Sequence, residues 1–555
     1  MLALFVFAFL VGASSGTQKI PDVPTPTPDY FQTTSGPFAG ATKAGEAAFL
    51  AQTNPVFTEP TYVPNSPLVT NVPISGQPHG GNIFSLMGTL TPYLPNPVGF
   101  GVNEYPLPPG ANITQIHMVH RHGARYPTSG SATGEWAQKL IEFRKNGTRF
   151  TGDLAFLNDW SYKLGEAELT ARGRQELFDS GVLHFFNYGK LYDAASKIIV
   201  RTTTMVRMLQ SAENFLNGFF GPAWTKNATL EVIIESEGFN NSLAGNKMCD
   251  NAANGNGATG DEAMDAWMAV YLANATERFR AQISGTLHAA WTVEDTYTAQ
   301  TMCSYETVAL GYSPFCTLFT WDEWAGFGYM TDLKLYGSYG LGSPVGRSIG
   351  LGYVEELIAR LESHLPLDAP EDDSIPIAFN ATLDASTDTF PLNQSLYFDF
   401  SHDDEMFSML TALGLRQFGG FLPPTPTHPS PTRALFGSRI VPFAARFVIE
   451  IIRAPKPVRA TRKRGGRIVP GNVYEETGGE TVYVHMLINQ RTVSLGQSIA
   501  TCGRRDDGWC ELSTFISAQR DNIDKANYEA SCFGDYGLPP YGEIRDGAYP
   551  RNGTI

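Results

Sequence analysis

Three short apolar runs in this chain each end in polar, reactive residues and pass straight into a helix-like segment. That pattern restricts the fold more than any other feature. The first run, Ile113-Thr114-Gln115-Ile116-His117-Met118-Val119-His120, alternates in side and closes in Arg121-His122-Gly123-Ala124-Arg125-Tyr126-Pro127. The second, Lys197-Ile198-Ile199-Val200, closes in Arg201. Thr202-Thr203-Thr204 follow as N-cap candidates, then Met208, Ala212, Phe215 and Phe219 at helical spacing. In the third, Leu396, Phe398 and Phe400 alternate with Tyr397 and Asp399; Ser401-His402-Asp403-Asp404-Glu405 closes it ahead of an apolar helix from Met406 to Leu415. Strands that run repeatedly into helices predict an open α/β sheet. Such sheets bind ligands at the carboxyl ends of their strands, beside helix N-termini that favour anions. The three polar ends are therefore expected to share one phosphate-binding site.

The residue types at those ends suit phosphoryl transfer. Arg121, Arg125 and Arg201 offer planar forks of donors that match phosphate oxygens and stay charged at working pH. His402 adds a further hydrogen bond. His122, set between two arginines, is the expected nucleophile on phosphorus, and Asp403 the expected donor of a proton to the leaving alkoxide. His117 and His120 are read as structural. Fixed positive charge and positioning are what this chemistry chiefly needs. With no Walker-type loop, HExxH or carboxylate cage in the sequence, no metal and no cofactor are expected.

The net charge of −15 argues against nucleic acid as a partner, because phosphate-backbone binding needs a basic surface. Any attraction for an anionic substrate must come from a local basic pocket. Met1 to about Gly16 reads as a secretion signal, with an apolar run from Leu2 to Val11 followed by small residues. No later segment supplies the roughly 20 apolar residues of a membrane span. Eight Asn-X-Ser/Thr sites (Asn112, Asn146, Asn227, Asn240, Asn274, Asn380, Asn393 and Asn552) suit a secreted, glycosylated chain. The 6 cysteines lack metal-ligand spacing. Short-range closure favours Cys303–Cys316 and Cys502–Cys510 and leaves Cys249–Cys532 as a long staple.

Residues 17–81, rich in Pro, Thr, Ser and Gly, read as a flexible or partly draped N-terminal arm. The basic stretch from Arg459 to Arg467 lies between two strand-like runs, Phe447 to Ile452 and Val482 to Ile488, and reads as a long hairpin loop.

At its reactive residues the chain resembles the histidine acid phosphatase family, particularly the secreted fungal phytase branch. Arg121-His122-Gly123-Ala124-Arg125-Tyr126-Pro127 matches the RHGxRxP signature, and His402-Asp403 matches the HD proton-donor motif. Arg201 is matched to the family's third phosphate-binding arginine. The likeness extends over roughly residues 82–535. It implies a large α/β domain, a central mixed sheet flanked by helices, formed by 82–140 and 331–540. It also implies a smaller all-α domain inserted at 141–330, a tail at 541–555, and a phosphohistidine at His122. The same three disulfides follow from it.

The resemblance implies a secreted monomer that hydrolyses phytate, a small-molecule phosphate ester, at acid pH. Departures from the pattern keep a broad acid phosphatase as the alternative. Lys334-Leu335 stands where many relatives have two lysines, so Lys334 is the expected substrate rim, with Lys139 second. Ala111 and Arg453 stand where relatives often have a further disulfide. A catalytically silent binding glycoprotein would require loss of His122, an arginine or Asp403, and all are present.

Overall fold

The computed structural model describes residues 69–366, 376–464, 467–468 and 473–551. The proposed signal, most of the arm and Asn552 lie outside them. The strands are β1 (Asn112–Arg121), β2 (Ile198–Thr203), β3 (Ala228–Ile233), β4 (Leu396–Ser401), β5 (Arg446–Ala454), β6 (Lys463–Arg464), β7 (Arg467–Ile468), β8 (Thr481–Ile488), β9 (Arg491–Thr492) and β10 (Cys510–Glu511). Eight of them form one mixed sheet in the order β10-β8-β5-β1-β4-β2-β3, with β9 paired to β8 off this path. β1, β4, β2 and β3 run parallel. β5, β8 and β10 extend the sheet antiparallel. β6 and β7 form a separate antiparallel ribbon, which gives the basic stretch its hairpin.

Parallel strands covered on both faces read as nearly continuous apolar runs, and β4 is buried at every position. On one face, the helically spaced Met208, Ala212, Phe215 and Phe219 of helix Val206–Phe220 pack against Met118, Val200, Phe398 and Phe400. Phe215 and Phe219 meet the Phe398 ring at 5.0 and 5.2 Å. Each aromatic side chain buried in this way contributes roughly 1.5–3 kcal/mol. This core fixes the carboxyl ends of β1, β2 and β4 side by side.

The expected boundaries of the inserted domain need correction. β2 and β3 fall inside 141–330 yet belong to the main sheet, so residues 141–330 are not one all-α unit. The helices Thr259–Tyr271, Ala273–Arg280, Val293–Leu310 and Trp321–Lys334 form the helical part that follows β3. The start and end of the ordered chain are also more integrated than expected. Val69 N donates to Gly311 O at 2.8 Å, and Trp321 N to Ser75 O at 2.9 Å, so the last part of the arm lies against the helical region. The tail docks through Arg347, whose Nε donates to Asp546 O at 2.5 Å. The three disulfides join Cys249–Cys532, Cys303–Cys316 and Cys502–Cys510. Of the two residues at the position of the missing disulfide, Arg453 pairs with Asn112 across β5 and β1, and Ala111 lies one residue before β1.

Candidate active site

The chain leaves β1 through His122 and Gly123. A Cβ at Gly123 would lie 2.3 Å from the Gly173 carbonyl oxygen, so only glycine lets the backbone pass under helix Ala171–Tyr188. His122 Nδ1 lies 2.9 Å from Gly123 O. A carbonyl can only accept, so Nδ1 carries the proton and Nε2 keeps its lone pair. Burial first, then the charges of Arg121, Arg207 and Arg125, hold the imidazole well below its usual pKa. His122 is therefore held toward its neutral form, with Nε2 carrying the lone pair.

His122 lines a cleft of about 380 Å³ together with Arg125, Arg207, Glu235, His402 and Asp403. Every one of the four parallel strands feeds it. His122 and Arg125 follow β1, Arg207 follows β2, Glu235 follows β3, and His402 and Asp403 follow β4. His402 is the N-cap residue of helix Asp403–Ala412, so the cleft also receives a helix N-terminus. Two of the cleft cations stand near carboxylates without forming a close ion pair. Among the described residues neither Arg125 nor Arg207 forms an ion pair with a carboxylate, and each Nε is buried without a hydrogen-bond partner. Arg125 Nη1 donates to Tyr126 O at 2.9 Å. Burial, then the charge of Arg125, lowers the Arg207 pKa. Two neighbouring, partly desolvated guanidiniums are costly unless an anion joins them.

Arg121 is placed differently. Its Nη1 donates to Thr89 O at 2.5 Å and Val441 O at 2.7 Å, and its Nη2 sits 3.0 Å from Asp403 Oδ1. It stands behind Asp403 and supplies charge to both His122 and Asp403. Burial would raise the Asp403 carboxyl, but Arg121 and Arg125 outweigh it and hold Asp403 below the usual range. Its neighbour Asp404 is raised instead, by burial and by the Asp403 charge.

His402 Nε2 lies 3.0 Å from Glu235 Oε2, which also accepts from Thr203 Oγ at 2.5 Å. Against burial, these bonds keep the Glu235 carboxyl low. The expected contact of His402 with phosphate is thus left to Nδ1.

Arg201 does not reach the cleft, and here the sequence reading is corrected. β2 runs on to Thr203, so Arg201 lies within the sheet opposite Asp399 of β4. Its Nε meets Asp399 Oδ1 at 2.7 Å and its Nη2 meets Glu356 Oε2 at 2.6 Å, all buried. The arginine that lines the cleft beside Arg125 is instead Arg207, in the first turn of helix Val206–Phe220. Sequence reasoning missed it by ending the strand at Val200. It also missed Glu235, although Val232 to Ile234 is a fourth short apolar run closing in an acid.

The rim candidates fare unequally. Lys334 lines the cleft, but its Nζ pairs with Asp261 Oδ1 at 3.2 Å. Lys139 is held by both Asp295 oxygens at 2.7 and 2.8 Å. Lys247, unnoticed in the sequence, also lines the cleft. His117 and His120 are buried away from it, stacked on Tyr397 and bonded to Ser180 Oγ respectively. Asn112, Asn146, Asn274 and Asn393 are exposed. Asn240 and Asn380 instead donate their side-chain amides to Phe379 O and Asn240 O, across one contact.

Residues 112–489 match the histidine phosphatase superfamily (branch 2). Phytase A of Aspergillus oryzae is 35% identical over 448 residues, covering 78% of this chain and 87% of the relative. Phytase A of Aspergillus fumigatus is 36% identical over 427 residues, covering 74% and 82%. Among solved structures, the phytase from D. castellii aligns with a TM-score of 0.61 at 23% identity, covering 83% of this chain and 90% of the other. A multiple inositol polyphosphate phosphatase of Bifidobacterium longum, solved with inositol hexasulfate, aligns with a TM-score of 0.56 at 15% identity, covering 78% and 97%.

Proposed function

The chain belongs to branch 2 of the histidine phosphatase superfamily, and from that membership we propose that it is a phosphomonoesterase hydrolysing phytate, myo-inositol hexakisphosphate, through a phosphohistidine at His122. The observation that carries the reading is a histidine held toward its neutral form beside two arginines whose buried Nε groups have no hydrogen-bond partner and one positioned acid. The Nε2 lone pair attacks phosphorus as the ester P–O bond breaks, and the leaving oxygen takes a proton from Asp403. Water then attacks the phosphohistidine. The Asp403 carboxylate takes its proton, and the P–N bond breaks to restore His122 and release inorganic phosphate. Arg125 and Arg207 hold the equatorial oxygens throughout, assisted by the charge of Arg121. Relatives named Phytase A at 35 and 36% identity support phytate as the substrate. Three disulfides and no free cysteine among the described residues support secretion.

The pairing of Lys334 with Asp261 favours a second reading, a broad phosphomonoesterase with little preference for phytate. Phosphate release from phytate and from an aryl phosphate, compared across acid pH, separates the two. Acid-labile label on His122, lost in His122→Ala with the fold retained, is expected under both. Label on another residue would refute the mechanism, and failure to cleave phytate would leave only the broad reading.

A further inference from the structure

We propose that Lys247 is a specificity-determining residue of this cleft, receiving a second phosphate of a polyphosphorylated substrate whose scissile group lies between Arg125 and Arg207. The inference rests on the phytate reading and assigns to Lys247 the part that the sequence pattern gives to Lys334. Both lysines line the cleft. Lys334, however, faces Asp261 at 3.2 Å, and Asp265 is close enough to feel both charges. Its ammonium is already offset. Lys247 makes no ion pair or side-chain hydrogen bond among the described residues, so its charge is free for an incoming anion.

The backbone holds Lys247 in place. It ends the short turn Gly245–Lys247, where a Cβ at Gly245 would lie 2.0 Å from Ile349 O, so the turn sits directly on helix Gly346–Glu362. Just before it, Leu243 O accepts from Ser401 Oγ at 2.7 Å, which ties the turn to the strand end that carries His402 and Asp403. Just after it, Cys249 is fixed to Cys532. The ammonium thus has a rigid base and a flexible stem, which suits a point charge that must meet ring phosphates in several orientations.

A neighbouring hollow shares Thr128 with the cleft and is lined by Glu135 and Glu166, so it offers a polyanion no positive charge.

The test uses the full chain as wild type, Lys247→Ala, Lys247→Arg and Lys334→Ala. Aryl phosphate hydrolysis is inhibited in turn with inositol hexasulfate and with inorganic phosphate, and kcat and KM are measured for phytate. For Lys247→Ala the ratio of the two inhibition constants should shift about fivefold against the hexasulfate, the size of one exposed ion contact. The loss should appear in the KM for phytate rather than in kcat, and should shrink with added salt. Lys247→Arg should restore most of it, and Lys334→Ala should shift the ratio less. An unshifted ratio, or equal weakening of both inhibitors, overturns the assignment even if phytate is cleaved. A wild-type enzyme that fails to cleave phytate yet loses hexasulfate inhibition on Lys247→Ala overturns the phytate reading alone.

Discussion

Arg201 and Arg207 lie on one connection, and replacing each should have opposite consequences. Arg201→Met removes two buried ion pairs, to Asp399 at 2.7 Å and Glu356 at 2.6 Å. Removing one partner of a buried pair typically costs about 3–5 kcal/mol, because the other charge is left uncompensated. Here Asp399 keeps Arg360 at 3.0 Å and Glu356 keeps the Ser242 hydroxyl at 2.6 Å, so the lower end, about 3 kcal/mol, applies. The melting temperature should fall by several degrees while activity per folded molecule stays within a few-fold. Arg207→Ala removes no close ion pair among the described residues, and the repulsion it relieves with Arg125 offsets the attraction it loses to Glu235, Asp404 and Asp403, so stability should change by less than in Arg201→Met. It also deletes a fixed donor for the transition state, a loss of about 10² to 10³ in kcat. Thermal melts with and without inorganic phosphate, run beside steady-state kinetics, read both effects. Phosphate should stabilise the wild type and Arg201→Met but not Arg207→Ala. A stable, inactive Arg201→Met together with a near-normal Arg207→Ala would refute the placement of both arginines.

Two further predictions concern protons. Asp403→Asn should slow esters with poor leaving groups most, by about 10² to 10⁴, since these need the donated proton. Equal slowing of good and poor leaving groups would reduce Asp403 to a positioning role. Glu306 is buried, accepts from Trp160 Nε1 at 2.8 Å and Ser313 Oγ at 2.6 Å, and is pushed up by burial to about 7. A carboxyl raised in the folded state contributes stability that is fully present below its unfolded pKa, about 4.3, and lost as pH rises through about 7. Glu306→Gln should therefore flatten the fall in thermal stability between those values, and an unchanged slope would refute the attribution.

What the sequence made legible depended on how local each determinant was. The signature around His122 and the carboxylate at Asp403 sit at the ends of strands whose alternation is plain, so the proposed nucleophile and acid could be read together with Arg125 as neighbours in one cleft. Arg201 misled because a charge inside a central strand is improbable unless it is paired. Its partners Asp399, Glu356 and the neighbouring Arg360 lie far away in sequence. Once β2 is seen to run through that arginine, the helix start moves on and Arg207 becomes the cleft residue. The same long-range logic hides the inserted domain's true limits, since β2 returns to the main sheet only by pairing with β4, and β3 by pairing with β2. Lys334 was legible as a position but not as a charge, because the acid that offsets it, Asp261, belongs to another helix. The two short disulfides were readable by proximity, and they left the long one no alternative.

The site makes one demand that its own electrostatics oppose. Arg121 helps keep His122 neutral, but the same guanidinium, 3.0 Å from Asp403, favours the ionised carboxylate there. A donor held ionised has no proton to give. The conflict is resolved if the proton enters with the substrate. A phosphate ester has its second pKa near 6, so in acid it arrives as a monoanion. Beside Arg125 and Arg207 the dianion is favoured, and the adjoining carboxylates Asp403 and Asp404 stand ready to take the released proton. The phosphoryl charge then offsets Arg121 and allows the carboxyl to hold that proton until the ester oxygen leaves. On the proposed mechanism, the rate should fall as pH rises through the second pKa of the ester, because the Asp403 paired with Arg121 then lacks the proton that the substrate brings.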